Sequence, residues 1–270
     1  MRRDESHETK VSAAGQGIER VAAILRVLAK RSRFGSRLTD VADETGLNKS
    51  TVHRLLASLV AQKLVEVEER NGLFYLGFDM LSLSANAADR FGLVTLARES
   101  VNWLERRTGD TVFLSVRSGH ESVCVDRASG AFPIKVLTLA VGDRRPLGVG
   151  AGSLALLSGL DDQEIEAAIG QNAPVLKHYG DYDADILRNM VDRTRSEGYA
   201  FNPGQIVTGM QAIGVAVPRP SGSPFVALSI AAITERMTEM RRLELLDDMR
   251  VAATQIGDRL AEIATLRIDA

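Results

Sequence analysis

The chain has 270 residues, 45% apolar and 25% charged, with a formal net charge of −2. This length allows two domains, and the mix is that of a globular protein rather than a disordered or fibrous one. No apolar run approaches the roughly 18 residues a bilayer span needs, so no membrane partner is expected. The single cysteine, Cys124, excludes an intramolecular disulfide and fits a reducing, cytoplasmic setting. Four scattered histidines, His7, His53, His120 and His178, offer no metal-ligand spacing, so no metal and no cofactor is expected. Charge is uneven: residues 1–78 carry +3 and residues 79–270 carry −5. The front is therefore the part suited to a polyanion.

The opening "MRRDESHETKVSAAGQG" has two arginines and no apolar segment after them. It reads as a loose tail over residues 1–16 rather than a secretory signal. In "GIERVAAILRVLAK", Ile18, Val21, Ile24, Leu25 and Leu28 recur at helical spacing, which predicts a helix ending near Arg31. "LTDVADETG" predicts a short second helix with Leu38, Val41 and Ala42 inward, stopped by Gly46. In "LNKSTVHRLLASLV", Asn48 is placed to cap a third helix. Val52, Leu55, Leu56, Leu59 and Val60 form its buried stripe, and Lys49, Ser50, His53, Arg54 and Ala57 fall on the opposite face. "LVEVEERNGLFYLGF" predicts two strands joined at Asn71-Gly72, a strong hairpin signal. Three helices and a hairpin in about 60 residues make a helix-turn-helix with a wing over residues 17–77.

Residues 78–108 turn helical again and form an expected linker, broken or bent at Gly92. Met80, Leu81, Leu83 and Ala87 give its first piece an apolar face. Leu93, Leu96, Val101 and Leu104 do the same for the second, against a partner chain or against the chain's own domain. From residue 109 onward strands and helices mix in the order β-β-β-α-α-β-β-α, with a final helix from Arg241 to about Leu266. The implied class is α+β, a sheet with helices packed on it.

Two segments could carry recognition chemistry. A helix entering the major groove needs polar side chains near its N-terminus and an apolar stripe behind them. Lys49, Ser50, Thr51, His53 and Arg54 can all reach phosphates or base edges. Arg70 at the wing tip is placed for backbone or minor groove. The bland alternative is a solvated helix face, and the helix, turn and wing around it favour the sharper reading. The second segment is "DRRPLGVGAGSLALL". Gly148, Gly150 and Gly152 permit close backbone approach, and the following helix offers free N–H groups to an anion such as a carboxylate. Taken alone, this stretch reads rather as a tight strand-to-helix connection with glycines for packing. No catalytic residue is expected: Ser153 lacks a nucleophile-elbow pattern, and Cys124, in the apolar "SVCVD", reads as an inert core thiol.

Over nearly everything from Ile18 to about Leu266, the chain resembles the IclR family of bacterial transcription regulators. The resemblance rests on "LTDVADETGLNKSTVHRLLASLVAQKLVE", on "RRPLGVGAGSLALL", on "EGYAFNPGQIVTGMQAIGVAV" and on "ALSIAA". It implies a winged helix-turn-helix, a linker helix that takes part in dimerisation and, over residues 109–270, a mixed α/β, GAF-like effector-binding domain. It implies dimers or tetramers on palindromic double-stranded DNA operators, repressing or activating in answer to a small organic acid. Carried onto this chain, the effector residues are Gly150, Ala151, Gly152, Asn202, Ala212, Ser229 and Ala231. The chain departs from the family where many members have "PLHA" (here Pro146 to Val149), an acidic residue near Asn202, a Cys near Ala212 and a second Ser near Ala231. Leu76 stands where a basic wing residue is common. These departures point to a larger, partly apolar carboxylate, an aromatic one included, with Arg144 or Arg145 as its counterion. The alternatives are an enzyme on a small carboxylate with an accessory DNA-binding domain, and a constitutive DNA-binding protein with a vestigial pocket.

Overall fold

The computed structural model describes residues 13–31, 34–219 and 222–266. Two compact units divide between Arg90 and Phe91. In the first, α1 (Ala13–Lys30), α2 (Leu38–Thr45) and α3 (Lys49–Ala61) precede the hairpin β1 (Val65–Glu68) and β2 (Leu73–Leu76). Helix α1 begins inside the stretch expected as tail, and residues 1–12 of that stretch lie outside the described residues. Ile18 is 72% exposed and leaves the predicted stripe. The core forms instead from Ile24, Val27 and Leu28 of α1, Val41 and Ala42 of α2, Val52, Leu56 and Leu59 of α3, and Val65 of β1. Leu55 and Val60 of α3 pack against it half-buried.

The wing differs from the two-residue turn expected at Asn71-Gly72. Glu68 pairs directly with Leu73, so the loop has four residues, Glu69 to Gly72. Its own hydrogen bonds explain the length. Gly72, at φ +69°, donates its N–H to Glu68 O at 2.8 Å. The Asn71 side chain donates to Glu68 Oε2 at 2.6 Å and accepts from Leu73 N at 3.0 Å. An Asn side chain that imitates the backbone in this way closes a wider turn than the dipeptide signal assumes. Ser36 adds a bridge to Phe74, outside the hairpin. Helix α4 (Phe78–Phe91) follows, its first N–H held by Glu66 Oε1 at 2.9 Å.

The second unit is built on a six-stranded antiparallel sheet, among the described residues, ordered β5-β4-β3-β8-β7-β6. Its strands are β3 (Thr111–Ser118), β4 (Glu121–Ala128), β5 (Arg144–Pro146), β6 (Ala200–Asn202), β7 (Met210–Ala216) and β8 (Val226–Ile233). Strand β6 was not expected. Between β5 and β6 stand three helices, α6 (Ala151–Ser158), α7 (Asp162–Leu176) and α8 (Ala184–Glu197), one more than the expected order. Helices α5 (Leu93–Thr108) and α9 (Glu239–Leu266) cover the sheet face carrying Val112, Leu114, Leu228 and Ile230. The opposite face meets α6, α7 and α8, where Ala227 joins Leu154, Leu157 and Ile169. Side chains alternate across a strand, so one register divides β8 cleanly: Leu228 and Ile230 to one layer, Ala227, Ser229 and Ala231 to the other.

The expected linker over 78–108 therefore divides at Gly92. Leu93, Ala97, Val101 and Leu104 of α5 are buried in the second unit's own core, so α5 is a structural helix of that unit. On α4, Leu81 and Leu83 remain exposed. The side chain of Ala87, counted in the predicted face, lies outside the described residues. On α9, Leu243 is exposed and Leu245 takes the inward position beside Leu246.

Candidate functional site

In the first unit, Gly46 takes a left-handed conformation at φ +68°, which ends α2 and turns the chain into α3. Asn48 Oδ1 accepts from Thr51 N at 2.8 Å and from Ser50 Oγ at 2.9 Å, so its carbonyl is engaged as the N-cap of α3. Lys49, Ser50, His53 and Arg54 are exposed and Thr51 is half-buried. Val52 and Leu56, at 0% exposure, fix the opposite face. Among the described residues, Lys49, His53, Arg54 and Arg70 form no ion pair. Two cationic side chains on α3 and one at the tip of the wing are thus available to an anionic partner.

In the second unit, Gly150, Ala151, Gly152, Asn202, Ala212, Ser229 and Ala231 all line one cleft, partly open to solvent, with a cavity volume of about 50 Å³. Sheet register explains the convergence of residues up to 81 positions apart. Ser229 pairs with Phe113 on one side and Gly214 on the other, and Ala212 pairs with Ala231. Helix α6 lies directly on β7 because Gly214 has no side chain: a Cβ there would collide with the Ala151 carbonyl. A methyl group on Gly152 would lie 3.1 Å from Ser229 Oγ and 3.8 Å from Ser115 Oγ. The first-turn N–H groups of Ala151, Gly152 and Ser153 have no intrahelical acceptor and sit in the cleft wall.

The polar groups around this turn divide into engaged and free. Tyr182, 3% exposed, accepts from Asn202 Nδ2 at 2.6 Å and from Gly150 N at 3.4 Å. Burial pushes its hydroxyl up to about 12. Asn202 Oδ1 in turn accepts from Gly204 N at 2.9 Å. Ser153 Oγ donates to Pro146 O at 3.0 Å and accepts from Gly148 N at 3.2 Å, a structural tie across the glycine loop. Arg144 is engaged by Glu121 at 2.8 Å and Ser118 at 2.9 Å. Arg145 lines the cleft and donates Nη2 to Thr138 O at 2.6 Å. Desolvation by burial holds its guanidinium below the usual arginine range. Cys124 is 2% exposed, and burial raises its thiol to about 11, so almost no thiolate forms near neutral pH.

Sequence reasoning missed Ser115, Ser122, Gln211 and Tyr182, and left Arg145 undecided against Arg144. Alternation in "TVFLSVRSG" does carry a signal, since Phe113 and Ser115 share a face. It does not reveal that this face carries a cleft. Among the described residues no cluster of His, Cys, Asp or Glu could hold a metal ion, and no helix is long and apolar enough to cross a membrane.

Residues 17–69 match the IclR helix-turn-helix domain, and residues 85–258 match the bacterial transcriptional regulator IclR C-terminal domain. The HTH-type transcriptional regulator KipR of Bacillus subtilis is 29% identical over 83% of this chain and 89% of its own length. The HTH-type transcriptional repressor AllR of Escherichia coli K12 is 26% identical over 94% of this chain and 93% of its own. An IclR regulator structure from Alicyclobacillus acidocaldarius superposes with a TM-score of 0.75 at 20% identity, covering 90% of this chain and 98% of that one. An IclR homologue from Microbacterium hydrocarbonoxydans, solved in complex with 4-hydroxybenzoate, gives 0.74 at 22% identity, covering 91% and 99%. At such identities the structural likeness concerns the fold. The C-terminal match alone spans more than half of the sequence, so the chain belongs to the IclR family and is a DNA-binding transcriptional regulator.

Proposed function

We propose that this regulator is ligand-responsive: it binds a palindromic operator as a homodimer or homotetramer and answers to a small organic acid, with an aromatic acid preferred. The observation that carries this reading is the convergence of all seven carried-over positions on one cleft at the positive end of α6. Phe113, Val136, Leu139, Ile206 and Met210 supply apolar walls, which suit a flat apolar body. The relative solved in complex with 4-hydroxybenzoate supports the same class. On the DNA side, Lys49, Ser50, Thr51, His53 and Arg54 are the proposed major-groove contacts and Arg70 the wing contact, with Asn48 holding the start of α3. Phe78, Leu81 and Leu83, each more than half exposed on α4, support self-association.

The mechanism is linkage. Operator half-sites lie about one helical turn apart, roughly 34 Å, or a multiple of it. An acid that binds better to one spacing of the paired recognition helices shifts that equilibrium, and operator affinity follows reciprocally. Coupling of about 1–3 kcal/mol changes affinity roughly 5- to 150-fold. Gel shifts at fixed salt, on the DNA just upstream of the protein's own gene, test this with a panel of aromatic and aliphatic acids. The expected result is specific binding changed by an aromatic acid. Specific binding that no acid alters would leave a constitutive DNA-binding protein.

A further inference from the structure

The hydroxyl of Ser50 has its one proton committed inside the protein. Asn48 Oδ1 accepts from Thr51 N at 2.8 Å and lies 2.9 Å from Ser50 Oγ. A backbone N–H can only donate, so the oxygen of the Asn48 amide, not its nitrogen, faces the helix. That oxygen carries no proton, and the bond with Ser50 therefore runs from the hydroxyl to the amide. A serine hydroxyl has one proton and two lone pairs. With the proton turned inward, Ser50 presents only lone pairs on its exposed side. Its neighbours are the reverse. Lys49 and Arg54 carry donors and no acceptor, and Arg54, four residues on, shares a helical face with Ser50. The outer face of α3 is thus polarised, with an acceptor at Ser50 and donors at Lys49 and Arg54.

DNA answers the two kinds of group differently. Phosphate oxygens only accept, so Ser50 has nothing to offer the backbone without leaving the helix cap. In the major groove, adenine N6 and cytosine N4 are amino donors, whereas guanine O6 and thymine O4 are acceptors. An outward lone pair attracts the first pair of groups and repels the second. Arginine, with a fork of donors, matches the O6 and N7 acceptors of guanine. Resting on the reading of α3 as the recognition helix, we infer that Ser50 is a specificity-determining residue that reads amino against keto at one base of one strand. It accepts adenine or cytosine there and rejects guanine and thymine, and Arg54 reads a guanine beside it. Residues four apart are separated by about 6 Å along a helix, close to two base-pair steps of roughly 3.4 Å.

Selection from random duplexes by the full chain tests this, with the wild type, Ser50→Ala and Arg54→Ala run in parallel. The wild-type half-site should hold one position restricted to adenine or cytosine on one strand, about two pairs from a guanine. Ser50→Ala should admit guanine and thymine there and keep the guanine preference. Arg54→Ala should do the opposite. Each preference is a ratio within one variant, so a general loss of folded protein does not imitate it, and the wild-type site stands without any variant. In the selected duplex, purine for the adenine or 2-pyrimidinone for the cytosine removes the amino group. This should weaken the wild type about fivefold more than Ser50→Ala, as the loss of one hydrogen bond implies. Comparing both proteins on the same duplexes cancels the weaker base pairing of the analogue. The salt slope of Ser50→Ala should equal that of the wild type. Uniform weakening with a slope lower by about 1 makes Ser50 a phosphate contact and overturns the assignment, as does a wild-type site with no position restricted to adenine or cytosine. If Arg54→Ala loses its guanine while Ser50→Ala selects the wild-type site, α3 remains the recognition helix and the role of Ser50 falls. If neither variant changes the selected sequence, or the wild type selects none, both readings fall.

Discussion

Arg54 and Arg145 carry the same guanidinium in opposite surroundings. Arg54 is exposed on α3 with bulk water around it. Arg145 lines a cleft, and burial disfavours its charged form. Neither has an acidic partner within ion-pair distance among the described residues. For Arg54 this is unremarkable, because an exposed guanidinium is solvated by water. Arg145 is half-buried in the cleft wall, where burial disfavours its charge and no acidic partner offsets that cost. The contrast extends to the two units. The first displays its chemistry on the outside of a helix whose inner face is locked in a small core. The second assembles its chemistry inside, from strand and helix ends that only a sheet register brings together.

The sharpest way to break this comparison is to damage each framework in turn. Leu56→Ala empties a fully buried position on α3 and should destabilise the first unit by about 2–5 kcal/mol. Urea unfolding should show it, with operator binding reduced and acid binding in the cleft retained. Gly214→Ala should destabilise the second unit by about 1–3 kcal/mol through overpacking against the Ala151 carbonyl. Because α6 must shift, calorimetry should show acid affinity falling further than the melting temperature implies. Arg54→Ala sharpens the DNA side. It should weaken specific operator binding by about 1–3 kcal/mol and leave unfolding within about 0.5 kcal/mol of wild type. Unchanged operator affinity would remove Arg54 from the contacts. The smallest effect belongs to Arg70→Ala, which should weaken all sequences alike and lower the salt slope of binding by about 1. A slope equal to wild type would take the wing tip off the phosphate backbone.

The two units also differ in how much of each was legible. Val52, Leu56 and Leu59 recur at helical spacing, so both the buried and the free face of α3 follow from local sequence. Asn48 caps that helix as its residue type and position predict. The wing was misjudged only in loop length, because the Asn71 side chain joins the turn as a hydrogen-bonding group. In the second unit, β3 and β4 were visible as alternating runs and β7 and β8 as apolar runs about a turn, but the three-residue β6 was not, being too short to show a period. Helix α5 read as a linker because an apolar face does not name what covers it.

By itself the sequence determined the helix-turn-helix, its capped recognition helix and that helix's free polar face, since periodicity and capping act over a few residues. It also showed the glycine loop between β5 and α6, but not whether that loop does more than join the two. Only the tertiary structure decided between Arg144, which Glu121 and Ser118 occupy, and Arg145, which faces the cleft. The same is true of Ser115, Ser122 and Ser229, three ordinary serines in the sequence. They come to line one cleft because antiparallel pairing joins distant strands, and no local rule encodes that register.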